Sequence, residues 1–314
     1  MKSRSFLKIL ARWAILTVLM TVIWILVTST VQSLLRGSGQ SHAGSVSPGE
    51  ASAYLLAMLA VVSINSAVLA QPILRSRWHG VKLMAVLALT VYVVQFLLGM
   101  AEVFFFNVGG KISMTLIHSQ LVGGAVFAIL YGVISVAVFG KFRARDAKED
   151  DPNTRLSMPL AQALLKIMVL CILIYPLLYF LFGYFVAWQS PSIRQYYSGS
   201  TLIRPIGEHF YTLFTGNPAI FGWQILRGLI WILVALPVIR MMKGRPRETA
   251  LALGLIFALV MNAQLLIPNP VMPAEVRAIH FIETASSNFI WGILIAWLMH
   301  RRHKSVADLF KART

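Results

Sequence analysis

The chain has a single cysteine, Cys171, in 314 residues. That excludes an internal disulfide and any metal site built on cysteine pairs. Acidic residues are scarce as well, 11 against 28 Lys and Arg. Charged residues of both signs make up 12% of the chain, about half the share of a soluble domain. No Gly-x-Ser-x-Gly elbow and no His-Glu-x-x-His pair occurs, so two common signatures of hydrolytic chemistry are missing. Cys171 lies in an apolar run and reads as a small buried hydrophobe.

What the chain has is length in apolar blocks. Hydrophobic residues are 58% of the sequence. A helix needs roughly 20 apolar residues to cross a hydrocarbon core. Eight blocks qualify, near 6–28, 52–70, 83–106, 118–139, 165–188, 220–241, 249–268 and 278–299. They use more than half the chain and leave no room for a separate soluble domain. The fold class expected is all-α: a polytopic membrane protein of about eight helices.

The formal charge of +17 would suggest nucleic acid in a soluble protein. Its distribution points elsewhere. With the N-terminus in the cytoplasm, 22 of the 28 Lys and Arg fall on cytoplasmic stretches. These are the N-terminal arm with Arg12, the turn holding Arg75, Arg77 and Lys82, and the connection from Lys141 to Lys166. The turn from Arg240 to Arg247 and the tail from Arg301 to Arg313 complete the set. The positive-inside rule then puts both termini in the cytoplasm of a plasma membrane. The expected partners are anionic headgroups at the basic loops and a small solute, with no nucleic acid. The basic N-terminus followed by an apolar run resembles a signal peptide. That run is too long and lacks a small-x-small cleavage site, so a retained first helix is expected.

The halves read alike. Phe6-Leu7-Lys8-Ile9 opens the first span and Leu164-Leu165-Lys166-Ile167 the fifth. Gln71-Pro72-Ile73-Leu74-Arg75 closes the second and Leu236-Pro237-Val238-Ile239-Arg240 the sixth. Ile117-His118 and Ile279-His280 open the fourth and eighth. The expected organisation is a four-helix half over 1–140, a cytoplasmic linker over 141–163, and a second half over 164–314. Four helices per half make the repeat parallel rather than inverted. The outer stretch 189–219 is too apolar for a free loop, and 201–215 suits an interfacial helix or a cap. Pro176 inside the fifth span should kink it.

Ionisable residues inside a span are costly, on the order of 3 kcal/mol, and are the first functional suspects. Glu102, Arg227 and Glu283 lie roughly 6–10 Å below the outer surface by helical rise. His118 and His280 sit nearer that surface; Gln224, Gln264 and Asn262 share the level. His280, Glu283 and Ser287 fall on one helix face, as do Gln224 and Arg227. The pattern implies an outward-facing polar pocket of Glu102, His118, Gln224, Arg227, Gln264, His280, Glu283 and Ser287. Arg227 is expected to pair with Glu102 or Glu283. Tyr175, Tyr179 and Tyr184 with the cap are candidates to gate entry. No continuous polar path reaches the cytoplasmic half.

The function expected first is binding or transport of a small anionic or protonatable solute. The second reading is a membrane-embedded enzyme, or a metal or haem site, using His280 and Glu283. In it His118 is a second ligand, and Ser286 or Ser287 a nucleophile. The third is a structural or partner-scaffolding membrane protein, with Arg227 in a register-fixing ion pair. No catalytic residue, metal ligand or cofactor is assigned.

Overall fold

The computed structural model describes residues 2–36, 48–106, 112–143, 155–269 and 272–301. The side chains of residues 2–5, 35 and 36 are also outside the description. So are most of the first outer loop, the linker acids Asp146, Glu149, Asp150 and Asp151, Lys111, Pro270, and the basic tail beyond Arg301.

Ten helices follow one another among the described residues. They are α1 (Lys2–Arg36), α2 (Pro48–Leu74), α3 (Gly80–Phe106), α4 (Met114–Val138) and α5 (Leu160–Ala187). Then come α6 (Pro191–Ser198), α7 (Ile206–Gly216), α8 (Ile220–Met241), α9 (Pro246–Leu266) and α10 (Ala274–His300). Eight of them, all but α6 and α7, are long and apolar enough to cross a membrane. The chain is therefore an all-α multi-pass membrane protein. Ile129, Leu173 and Leu233 are more than half exposed on its outside, as lipid-facing side chains must be.

The first helix is part of the bundle. Leu16, Met20 and Trp24 are buried, and α1 packs on α2 and α4. Trp13 donates its indole N–H to the Ser63 carbonyl at 3.0 Å. In lipid, packing rather than a hydrophobic drive holds helices together, so small residues set the close contacts. Gly132 brings α4 onto α3: a Cβ there would stand 2.5 Å from the Met84 carbonyl oxygen. Gly292 does the same for α10 on α9, with 2.6 Å to the Leu253 backbone.

The sequence neighbours α3 and α4, and α9 and α10, are the closest pairs. Three contacts join the first four helices to the rest: α2 on α9, α8 on α3, and the π-turn of α3 on that of α9. At the basic end the chain crosses itself. Arg77 N donates to Met241 O at 2.8 Å and Lys243 N to Arg75 O at 2.7 Å. This pairs the α2–α3 turn with the α8–α9 turn about Ser76 and Met242.

Three spans contain π-turns: Tyr92–Leu97 in α3, Val169–Ile174 and Gly183–Ala187 in α5, and Ile256–Val260 in α9. Pro176 begins the α-helical turn that follows one of them. The wider turn absorbs the break in the hydrogen-bond ladder that proline imposes.

The basic residues have a structural task beside any role in orientation. Helices α2, α4, α8 and α10 all end on the basic face, where their last carbonyls lack intrahelical partners. Lys141 donates to Leu74 O at 3.2 Å, Arg12 to Phe139 O at 3.3 Å and Arg155 to Ile239 O at 3.3 Å. Lys166, itself buried, donates to Leu298 O at 3.0 Å and also to Arg301 O. A cation at each C-terminus also opposes the negative end of the helix dipole.

Candidate functional site

The intramembrane charges meet at the end of the bundle opposite the basic face. Arg227 faces inward from α8, where it is 3% exposed. Its two terminal nitrogens reach both oxygens of Glu102 on α3, at 2.8 and 3.1 Å. A bidentate pair of this kind is the strongest geometry open to an arginine. One nitrogen also donates to the Gln224 side-chain carbonyl at 3.2 Å. That contact follows from the i, i+3 spacing on one helix face. Gly228, the next residue, lets α5 come close; a Cβ there would be 3.2 Å from the Tyr175 ring. Tyr175 and Tyr179 consequently stand over the guanidinium, 6.0 and 5.7 Å from its carbon to their ring centres.

A second chain of contacts lies beside the first. His280 Nδ1 is 3.0 Å from Glu283 Oε2 along α10, another i, i+3 pair. His280 Nε2 is 2.8 Å from the hydroxyl of Tyr197 on α6. Burial, and the carboxylates of Glu102 and Glu283, push the Tyr197 phenol above its ordinary range. An ionised carboxylate only accepts, so the contact with Glu283 is made by an Nδ1–H donor. Glu283, 6% exposed, is near enough to act electrostatically on Arg227, Tyr175 and Tyr179. The two chains form one cluster. Thr284 extends it to α9 by donating to Asn262 Oδ1 at 2.7 Å, and it also contacts the His280 carbonyl.

Two carboxylates, Glu102 and Glu283, thus stand in one cluster with the Arg227 guanidinium.

Two short helices, α6 and α7, follow α5, and α6 reaches the cluster through Tyr197. Arg194 locks the first in place, donating to Thr201 O at 2.7 Å and Trp188 O at 2.6 Å. Tyr184 ties down the second through Arg204 O at 2.8 Å. Phe210 and Phe214 of α7 pack edge-on against Phe180 of α5, while Tyr211 faces outward. His209, stacked near Trp188 and Tyr184, has its basicity lowered by burial and by Arg204.

Of the eight expected pocket residues, five stand in the cluster: Glu102, Gln224, Arg227, His280 and Glu283. Among the described residues, the other three do not join it by a polar contact. His118 is exposed on α4, which packs on α1 and α3. Among the described residues no hydrogen bond, ion pair or ring contact joins it to His280. Ser287 is buried, but its hydroxyl donates to the Thr284 carbonyl of its own helix at 3.2 Å. Ser286 is likewise turned to Ile282 O. Gln264 lies against Gly99, its amide nitrogen 3.3 Å from where a Cβ would be. Tyr197 and Thr284 were not among the expected pocket residues; nothing in an apolar outer loop or a helical threonine marks them.

Among the described residues no group of three or more His, Cys, Asp or Glu side chains is arranged to hold a metal ion. Two recesses, of about 330 and 300 Å³, lie elsewhere, and neither is lined by this cluster. The second is an apolar groove between α1 and α2, beside Phe6, Trp13 and Ala67. Deeper in the bundle Asn65 donates to Gln95 Oε1 at 3.0 Å, joining α2 to the π-turn of α3. Comparison with known proteins matches the chain to no family model, no curated protein and no solved structure.

Proposed function

We propose that the cluster is the binding site of a small solute with a protonatable, cationic nitrogen. In this reading His280 and Glu283 exchange the proton, and the α6–α7 cap closes over the site. The observation that carries it is the second carboxylate, Glu283, linked through His280 to Tyr197 on α6. An anion would have to displace Glu102 from both nitrogens of Arg227. A cation instead meets a second carboxylate and the faces of three tyrosines, which attract positive charge. The cap contact is the natural gate, since opening α6 breaks the Tyr197–His280 bond. On this reading the protein takes up or senses its solute from the outer side of a plasma membrane, with the basic face and both termini cytoplasmic. The 22 basic residues on that side support the orientation. Paired features support a parallel repeat: π-turns in α3 and α9, the Gly132 and Gly292 contacts, and the crossing about Ser76 and Met242.

The test is thermal unfolding of the protein in lipid nanodiscs against a panel of small amines and, separately, small carboxylates. Amines are expected to stabilise the wild type, and Glu283→Gln to abolish the shift. Stabilisation by carboxylates alone would overturn the reading. So would an amine response untouched in Glu283→Gln.

One observation favours a second reading, a packed ion-pair network that fixes helix register. Arg227 is 3% exposed and bonded at both terminal nitrogens. That reading expects no solute in either panel to shift the melting temperature, and Arg227→Ala to unfold the protein outright.

A further inference from the structure

The short helix α7 leaves an apolar side uncovered. Leu202, Ile203, Ile206, Tyr211, Phe214 and Phe221 are all exposed, Leu202 by 79% and Tyr211 by 72%. A large exposed apolar surface marks a contact with another molecule or with lipid. This surface is separate from the outer cluster and exists whether or not that cluster binds a solute.

Its depth follows from the lengths of the two spans beside it. Helix α8 has 22 residues and is about 33 Å long, little more than the ~30 Å hydrocarbon core. Helix α5 has 28 residues and reaches about 42 Å. The two meet where Phe221, at the start of α8, stacks on Phe180, with ring centres 6.5 Å apart and planes inclined by 6°. From Phe180 to Ala187 is about two turns of helix, so the end of α5 overhangs α8 by about 10 Å. Helix α7 lies along that overhang. His209 packs on Trp188 at 4.8 Å and on Tyr184 at 5.2 Å, and Phe214 packs on Phe180 at 5.2 Å. The helix is thus held between the edge of the hydrocarbon and the headgroups, where interfacial helices lie. Trp188 and Trp223, near the same ends of α5 and α8, are the residue type that favours this level.

Helix α7 also has two distinct sides. Glu208, Thr212 and Thr215 stand at i, i+4 and i+7 and are exposed together. Arg204 lies along them, its Nε 3.6 Å from Glu208 Oε1 and its Nη1 donating to Thr212 Oγ1 at 3.1 Å. Phe210 and Phe214 hold the helix to α5, while Ile206 and Tyr211 are left open. Further down α8, Leu226, Leu229 and Leu233 are exposed as well.

We propose that α7 and the residues leading into it lie in the lipid interface at the end of the bundle opposite the basic face. The apolar side rests on acyl chains and the Arg204–Glu208 side stands among headgroups. Lipid rather than a second protein is the occupant, because the uncovered side sits at interface depth and adjoins the lipid-facing surface of α8. The bilayer thereby holds the segment next to α6, whose Tyr197 meets His280.

The experiment maps the two sides with quenchers in the full-length protein in phosphatidylcholine nanodiscs. Cys171 is buried, and Cys171→Ala supplies a background in which one introduced cysteine carries a fluorophore. Leu202→Cys and Tyr211→Cys report the apolar side, Glu208→Cys and Thr215→Cys the polar side. The quenchers are a phosphatidylcholine with a nitroxide high on its acyl chain and, separately, iodide in the water. Labels on the apolar pair are expected to be quenched severalfold more by the nitroxide lipid than labels on the polar pair, with iodide giving the reverse order. If one variant of a pair fails to fold, the other still reports that side. Equal quenching of the two pairs by either reagent would overturn the proposal. So would shielding of the apolar pair from both reagents, which would assign that side to a second protein chain.

Discussion

Replacing Glu102 by Gln tests the central pair most directly. The change keeps the side chain's shape and removes its charge, leaving the buried Arg227 guanidinium with no carboxylate bonded to it. Breaking a buried pair in this way costs about 3–5 kcal/mol. Glu102 keeps 31% of its side chain exposed, so water reaches one side of the bond and the lower end of that range applies. About 3 kcal/mol is roughly a hundredfold shift in the folding equilibrium. Gln224 remains as a neutral acceptor 3.2 Å from one nitrogen and cannot replace a carboxylate held at two points. The decisive measurement is a double-mutant cycle with Arg227→Met, read by reversible unfolding in mixed micelles. The double variant should recover much of the loss, since it removes the orphaned charge as well as its partner. A single Glu102→Gln variant within about 0.5 kcal/mol of wild type would refute the argument. So would strict additivity in the cycle, because the two groups would then not be sensing each other.

Gly292→Ala should destabilise by about 1–3 kcal/mol, since its Cβ would press on the Leu253 backbone, which cannot swing aside. Gly222→Ala, with open space around it, should leave the melting temperature unchanged or raise it. Asn65→Ala should cost about 1 kcal/mol by stranding Gln95, and adding Gln95→Leu should recover most of that loss in the same unfolding assay. The raised phenol of Tyr197 sets a pH dependence. The unfolded chain sheds that proton first, near pH 10, so the contribution of Tyr197 is full below about 10 and declines above it. Tyr197→Phe should therefore lose stability less steeply than wild type between pH 9 and 11 on the approximate scale of that titration; parallel curves would contradict the placement of the hydroxyl.

Some of the cluster was legible before any coordinates. His280 and Glu283, and Gln224 and Arg227, are three residues apart, and helical geometry alone puts each pair in contact. The pairing of Arg227 with an acidic residue followed from the cost of leaving it unpaired in lipid. Its choice of Glu102 over Glu283 did not follow, because hydropathy says nothing about how α3 and α10 are turned on their axes. His118 shows the same limit. Its depth matched the other polar groups, but α4 leans on α1 and α3 and carries it outside. Ser287 faced inward as its spacing required, yet its hydroxyl bonds the Thr284 carbonyl of its own helix. Tyr197 was hidden for the opposite reason. Its contact with His280 joins positions 83 residues apart, which no local pattern records.

The amino-acid order alone determined that this chain makes eight apolar spans and that its cations gather on alternate connections. Backbone groups in lipid must bond within their own helix, and twenty apolar residues suffice to enforce that. Tertiary structure decided which faces of those helices meet. Close approach at glycines, π-turns within three spans and contacts such as Tyr197 with His280 determine it, and each depends on the packing of one segment on another. The pairing of Arg227 with Glu102, and the exposed apolar side of α7, are products of that second step.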